Sequence, residues 1–164
     1  MRETTHVVDA LLAAYRTIAL EMAELPIVNS RLAVDAVAFR EWSGGHAGIV
    51  VTPWFMNVVI VPPEGSARVE PGTRVARQFP AGQFEFVTSV LDGVGPIEGC
   101  SLFSPMGQFR DMAHALEVAR EAATALFTAP AVTTPAAPAA EAPPAKADSA
   151  PSRRDLFRRA FSIG

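Results

Sequence analysis

The chain has 164 residues, about half of them apolar, and a formal net charge of −3, which fits one domain with an ordinary core. The charge is unevenly held: residues 1–128 carry nine Arg against fourteen Asp or Glu, whereas residues 152–164 carry four Arg and one Asp. An acidic body argues against a nucleic-acid-binding fold, which needs a basic face, and the single cysteine, Cys100, excludes an intrachain disulfide and a CxxC metal or redox pair.

Thr4 to Leu25 reads as a helix. Val7, Leu11, Tyr15, Ile18, Met22 and Leu25 recur at three- or four-residue steps and form one apolar stripe. Thr4 or Thr5 is expected to cap its start, and Pro26 to stop it. Glu3 and Asp9 stand where an export signal would be basic, so none is expected at this end. The longest apolar run, Ile49–Val61, is broken by Pro53 and Asn57 and falls short of the ~20 residues that span a bilayer. A soluble protein in a reducing, cytoplasmic setting is expected.

The next segments read as an antiparallel sheet of about five strands. Val34–Trp42 is rich in β-branched and aromatic residues. The Ser43-Gly44-Gly45-His46 turn joins it to Ala47–Thr52 as a hairpin. Trp54–Val61 is apolar on both faces apart from Asn57, as a central strand covered twice would be. Thr73–Phe79, Gln83–Leu91 and Gly99–Phe103 follow. In the second of these Phe84 and Phe86 alternate with Gln83 and Glu85, the pattern of a half-buried strand.

Ser104-Pro105 reads as the start of a second helix, Ser as the cap and Pro at the first helical position. Its stripe is Phe109, Met112, Leu116, Ala119, Ala123 and Leu126. Residues 129–151 are nearly all Ala, Pro, Thr and acidic residues, too poor in large apolar groups to order themselves, and read as a disordered linker. The expected layout is an α+β domain over 1–128, a linker over 129–151 and a basic amphipathic tail over 152–164.

Enzyme chemistry finds little support. Gly93, Gly95 and Gly99 do not make GxGxxG, and the only lysine, Lys146, lies in the linker. His6, His46 and His114 lack metal-ligand spacing and read as ordinary surface or core histidines. Cys100 has no base beside it, and Glu85 has no second carboxylate nearby. No catalytic residue, metal or cofactor is expected. The conspicuous feature is apolar: Trp54, Phe55, Met56 and Asn57 stand consecutively, and in a strand neighbours face opposite sides. Trp54 and Met56 would then point one way and Phe55 and Asn57 the other, either into two covered core layers or partly onto an open docking face.

At these segments a resemblance enters. PWFMN (53–57) with the apolar run and prolines after it, FPAGQFEF at 79–86 and GPIEGCSLFSPMGQF at 95–109, in this order and spacing, resemble the HybE family of nickel–iron hydrogenase assembly chaperones. The resemblance covers residues 5–128. It implies a non-catalytic cytoplasmic factor that binds the hydrogenase small-subunit precursor. That precursor carries iron–sulfur clusters and a twin-arginine export signal. The factor would coordinate its pairing with the large subunit before export, alongside other maturation factors. It also implies a motif surface for partner binding: Trp54, Phe55, Met56, Asn57, Phe84, Glu85, Phe86, Cys100, Ser101, Leu102, Phe103, Ser104, Pro105 and Met106. The other reading is a thiol- or metal-dependent redox accessory of hydrogenase maturation centred on Cys100.

The tail adds Arg153, Arg154, Leu156 and Phe157 to the partner-binding candidates. Ser152 to Phe157 imitates the twin-arginine core of an export signal, but no apolar segment follows it. A lipid-touching segment, a docking peptide, a strap that masks the acidic body's own binding surface and a solubilising tail are the readings open to it.

Overall fold

The computed structural model describes residues 3–128; the linker of 129–151 and the tail of 152–164, with Arg153, Arg154, Leu156 and Phe157, lie outside the described residues. The elements in chain order are α1 (Thr4–Met22), β1 (Asp35–Trp42), β2 (Gly45–Val51), β3 (Met56–Val61), β4 (Arg74–Phe79), β5 (Gly82–Leu91), β6 (Gly95–Phe103) and α2 (Met112–Leu126). The strands form one sheet in the order β1-β2-β3-β6-β5-β4, with every neighbouring pair antiparallel. The fold is α+β, with six strands rather than about five, because every segment that reads as extended pairs in its own right.

The hairpin forms, but its turn is two residues rather than four, since Gly45 and His46 already pair within β2. Trp42 pairs with Gly45, and Ser43 and Gly44 between them take φ of 53° and 84°, the left-handed pair that a two-residue turn with the strands' own twist requires. β3 is central, and its alternation feeds two layers. Met56, Val58 and Ile60 enter a core with Ile49, Phe84, Phe86, Cys100, Leu102 and the Ala115–Leu126 face of α2. Val59 and Val61 enter a second core with Val50, Trp54, Ile97 and the Val7, Leu11 and Tyr15 stripe of α1.

The sheet curls around α2. Trp42 of β1 and Phe79 of β4 belong to opposite edge strands, yet their rings stack with centroids 4.5 Å apart. Arg40 of β1 lies over the Phe127 ring, 3.9 Å from its centroid, at the end of α2. The two edges therefore converge near the C-terminal end of α2, and the α2-side core is enclosed from three sides.

Two helix expectations change. α1 stops at Met22, and Leu25 lies in the turns beyond it, 47% exposed. Its N-cap is Glu3, without a side-chain hydrogen bond; Thr4 and Thr5 are already inside the first turn and cap nothing. α2 begins at Met112 instead of Pro105, and Asp111 rather than Ser104 is its cap. The Asp111 Oδ1 accepts from the His114 N–H at 2.9 Å. Seven residues that read as helix, 105–111, precede it as a loop, because the chain must first leave β6 and turn back over the sheet.

Candidate functional site

The motif is built around two loops at one end of the sheet. The first is Thr52 to Phe55. The Thr52 N–H donates to the Phe55 carbonyl at 2.8 Å. The Thr52 hydroxyl oxygen accepts from the N–H groups of Trp54 (3.2 Å) and Phe55 (2.9 Å). A hydroxyl that satisfies two backbone donors offers the chain an alternative to the ladder. β3 therefore starts at Met56, not Trp54. This corrects the expected alternation: Trp54 packs on the α1 side and Met56 on the α2 side. Trp54 and Phe55 share the α1 side, with their rings edge to face at 5.6 Å.

The second loop runs from Phe103 to Asp111. Ser104 and Pro105, joined by a cis peptide, are exposed, as are Gly107 and Gln108. Between them Met106 turns inward and is fully buried. Phe109 is buried behind it and meets Phe103 edge to face at 5.1 Å.

Asn29, which the sequence reading did not single out, ties these loops together. Its Nδ2 donates to the Met106 and Phe109 carbonyls, both at 3.0 Å. Its Oδ1 accepts from the Arg31 N–H at 3.0 Å, and its own N–H donates to the Pro53 carbonyl at 2.8 Å. The Asn29 side chain and its backbone N–H together hold three segments in register.

The motif residues divide by strand parity. Met56, Phe84, Phe86, Cys100, Leu102 and Met106 are buried in the α2-side core, and Trp54 is buried on the α1 side. They shape the surface from beneath. Phe55, Asn57, Ser101 and Phe103 are half-buried, and Ser104 and Pro105 are exposed. Asn57 and Ser101 are cross-strand partners on the α1 side of β3 and β6. Phe55 leans edge to face on Tyr15, with centroids 5.7 Å apart. Asn57 Oδ1 is closed from solvent and has no hydrogen-bond partner, a state that ordinarily costs about 1–3 kcal/mol. Glu85, farther along the same face, is 61% exposed at its side chain and pairs with Arg74 at 3.7 Å. That contact is a surface pair of small energetic weight.

Tyr15 borders this surface, and burial pushes its phenol up to about 12. The folded state then holds the proton more tightly than the unfolded chain, whose tyrosine titrates near 10. Stability from this group is intact below pH 10 and is lost as pH rises through 12, by about 2 kcal/mol at pH 12. Tyr15→Phe should flatten that alkaline limb. Denaturant melts at pH 8 and pH 11.5 check it: the gap between variant and parent must shift in the variant's favour at the higher pH.

One polar pair went unforeseen. Arg77 of β4 reaches Glu98 of β6 across β5, with Nε–Oε1 at 2.7 Å and Nη2–Oε2 at 2.6 Å. Hydrogen bonding to Glu98 raises the Arg77 guanidinium above its ordinary value. Glu98 is only 5% exposed, and the two-pronged contact satisfies both its oxygens. Nothing local in GPIEGC announces a partner twenty-one residues away. Among the described residues no three His, Cys, Asp or Glu side chains gather as a metal site, and no helix is long and apolar enough to cross a membrane.

Comparison with known proteins agrees with this geometry. The family described as NiFe-hydrogenase assembly chaperone, HybE, matches residues 6–159. The hydrogenase expression/formation protein HupJ of Bradyrhizobium diazoefficiens is 47% identical over 75% of this chain and 72% of its own length. The hydrogenase expression/formation protein HupT of Azotobacter chroococcum is 34% identical over 94% of this chain and 96% of its own. The solution structure of HybE from Escherichia coli superposes with a TM-score of 0.62 at 25% identity, over 76% of this chain and 78% of that one.

Proposed function

The chain belongs to the HybE family of nickel–iron hydrogenase assembly chaperones, and from that premise we propose that it acts without catalysis, in the cytoplasm. There it holds the small-subunit precursor until the large subunit is ready to pair with it. The observation that carries this reading is the division of the motif. Its large apolar members build two rigid cores, while Phe55, Asn57, Ser101, Phe103, Ser104 and Pro105 are left at least partly accessible around one end of the sheet. A surface pre-formed on packed strands and an amide-tied loop loses little entropy on binding.

A capture experiment tests it. Ser104 and Gln108 are exposed, so Ser104→Arg with Gln108→Arg should alter stability by no more than about 0.5 kcal/mol per site. The double variant should retain at least tenfold less of the twin-arginine-bearing precursor in pull-downs from hydrogenase-producing cells. Undiminished capture, or capture of the large subunit alone, would sink the reading. Trp54→Ala and Met106→Ala are unsuitable for this purpose, because both remove core packing.

The Cys100-centred alternative is less well supported. The thiol is 5% exposed and packs in the α2-side core among Phe86, Leu102 and α2. Cys100→Ser with full hydrogenase maturation would dispose of it.

A further inference from the structure

β5 and β6 are neighbours for only part of their length. Their ladder runs from Leu91 opposite Gly95 to Val87 opposite Gly99 and stops there, although β5 begins at Gly82 and β6 continues to Phe103. Beyond it each strand keeps its other neighbour. Gly82–Phe86 stay on β4, with Gly82 opposite Phe79 and Phe86 opposite Val75. β6 stays on β3, with Ser101 opposite Asn57 and Phe103 opposite Met56. We infer that the tail, residues 152–164 of the same chain, docks in this split as an added strand along the β5 edge. The inference does not rest on the proposed function and holds whichever partner the motif surface binds.

The curl of the sheet opens the split. The β4–β5 turn is held over the end of α2. There the Ala81 N–H donates to the Leu126 carbonyl at 3.2 Å, and the Phe79 ring meets Phe127 edge to face at 5.7 Å while stacking on Trp42. β6 leads instead to Phe103 and the loop before α2. The first half of β5 is thus drawn away from β6. Over about 15 Å of extended chain, the β5 edge turned from β4 has no strand partner among the described residues. Such an edge is a template for one more strand, because its N–H and C=O groups are already aligned. Side chains alternate along it, Phe84 and Phe86 buried, Gln83 and Glu85 exposed, so an added strand finds an apolar side and a wet one.

Proximity, composition and charge select the occupant. The described chain ends at Thr128, one residue past Phe127 and so beside the turn that forms one arm of the split. The 23 residues of 129–151 can extend to about 70 Å, twice the roughly 35 Å breadth of a body of this size. Residues 152–164 therefore reach the split, and do so at high effective concentration. A strand between two others must donate N–H groups on both sides, which proline cannot do. Residues 129–151 hold six prolines and no aromatic residue, whereas 152–164 hold no proline and carry Leu156, Phe157, Phe161 and Ile163. The tail's four Arg and one Asp complement a body with nine Arg against fourteen Asp or Glu, so the two attract. The family match also runs on through the linker to residue 159, ending inside the tail and not at the end of α2.

Hydrogen exchange of the full chain, read amide by amide by NMR, tests this. Within Gln83–Phe86, the amides directed away from β4 should exchange at least tenfold more slowly in the parent than in a full chain carrying Phe157→Pro and Phe161→Pro. Ile49 and Val59, in the buried centre of the sheet, should exchange alike in both chains, which reports an intact fold. A synthetic peptide of residues 152–164 added to the proline variant should restore the protection saturably. Equal exchange at Gln83–Phe86 in parent and variant would overturn the inference. So would protection in the parent that disappears on dilution, because the added strand would then come from a second copy.

Discussion

Gly48→Ala is expected to lower stability by about 3 kcal/mol, a large loss for one added methyl group. The reason lies in the neighbouring strand. β1 contains a bulge: its register with β2 shifts between Val37 and Arg40, and Ala38 takes a φ of 60°. The bulge swings Phe39 to the α1 side, where its ring lies across Gly48 and packs with the α1-side core. A Cβ at Gly48 would meet the ring and also approach the Phe39 Cα to 2.7 Å. Rotating the ring alone therefore gives no relief; the bulge, or α1 above it, has to move. Denaturant melts of the parent, Gly48→Ala, Phe39→Ala and the double variant check this. The double variant should fall short of the summed losses by 1 kcal/mol or more, because the two side chains compete for one space. A loss below about 1 kcal/mol for Gly48→Ala would show that the bulge yields freely.

The same residue shows what the sequence can and cannot convey. Gly48 sits inside an apolar run, and its neighbours Ala47, Ile49 and Val50 identify a buried strand whatever the glycine does. Local patterns were reliable where the cause was local. The first hairpin, the Phe84 and Phe86 alternation and the two-faced β3 each depend on residues within a few positions. The family motif was equally legible, because it is a matter of order and spacing. Misreadings arose where one local signal serves two structures. Ser104-Pro105 looks like a helix cap and is a loop, since Asp111 seven residues later has the same capping chemistry and the geometry to use it. Trp54 looks like a strand residue until the Thr52 hydroxyl competes for its backbone. What depends on distant partners was not legible. The Trp42–Phe79 closure and the Arg77–Glu98 pair follow from the curl of the sheet, which no segment announces alone.

Asn29 is the clearest case, and substituting it connects stability to the binding surface. Asn29→Asp preserves shape but replaces a two-proton donor with an acceptor. A carboxylate would then face the Met106 and Phe109 carbonyl oxygens from which Nδ2 now stands 3.0 Å away. The expected loss at pH 7 is about 3 kcal/mol: two donor contacts vanish and like partial charges meet. Asn29→Ala, which loses the contacts without the repulsion, should cost less, near 2 kcal/mol. The sign of the pH dependence separates this mechanism from simple loss of packing. Repulsion from the carbonyls disfavours the charged aspartate, so its folded pKa should rise above the unfolded value near 3.9. The Asp variant should then gain stability relative to the Ala variant as pH falls from 7 to 4, when the protonated acid can donate again. Parallel melts of the two variants at pH 7 and pH 4 read this directly; a constant difference would count against the repulsion. Capture of the precursor should weaken in both variants under conditions where they remain folded. The Ser104–Phe109 loop and the Thr52–Phe55 turn hold their relative positions through this one side chain and its backbone N–H. A displacement of about 1 Å at one of two surfaces that must meet a partner together is enough to lose most of the affinity. Folded Asn29→Ala chains that capture precursor as well as the parent would show that the loops bind separately, and that the surface proposed at this end of the sheet is not one site but two.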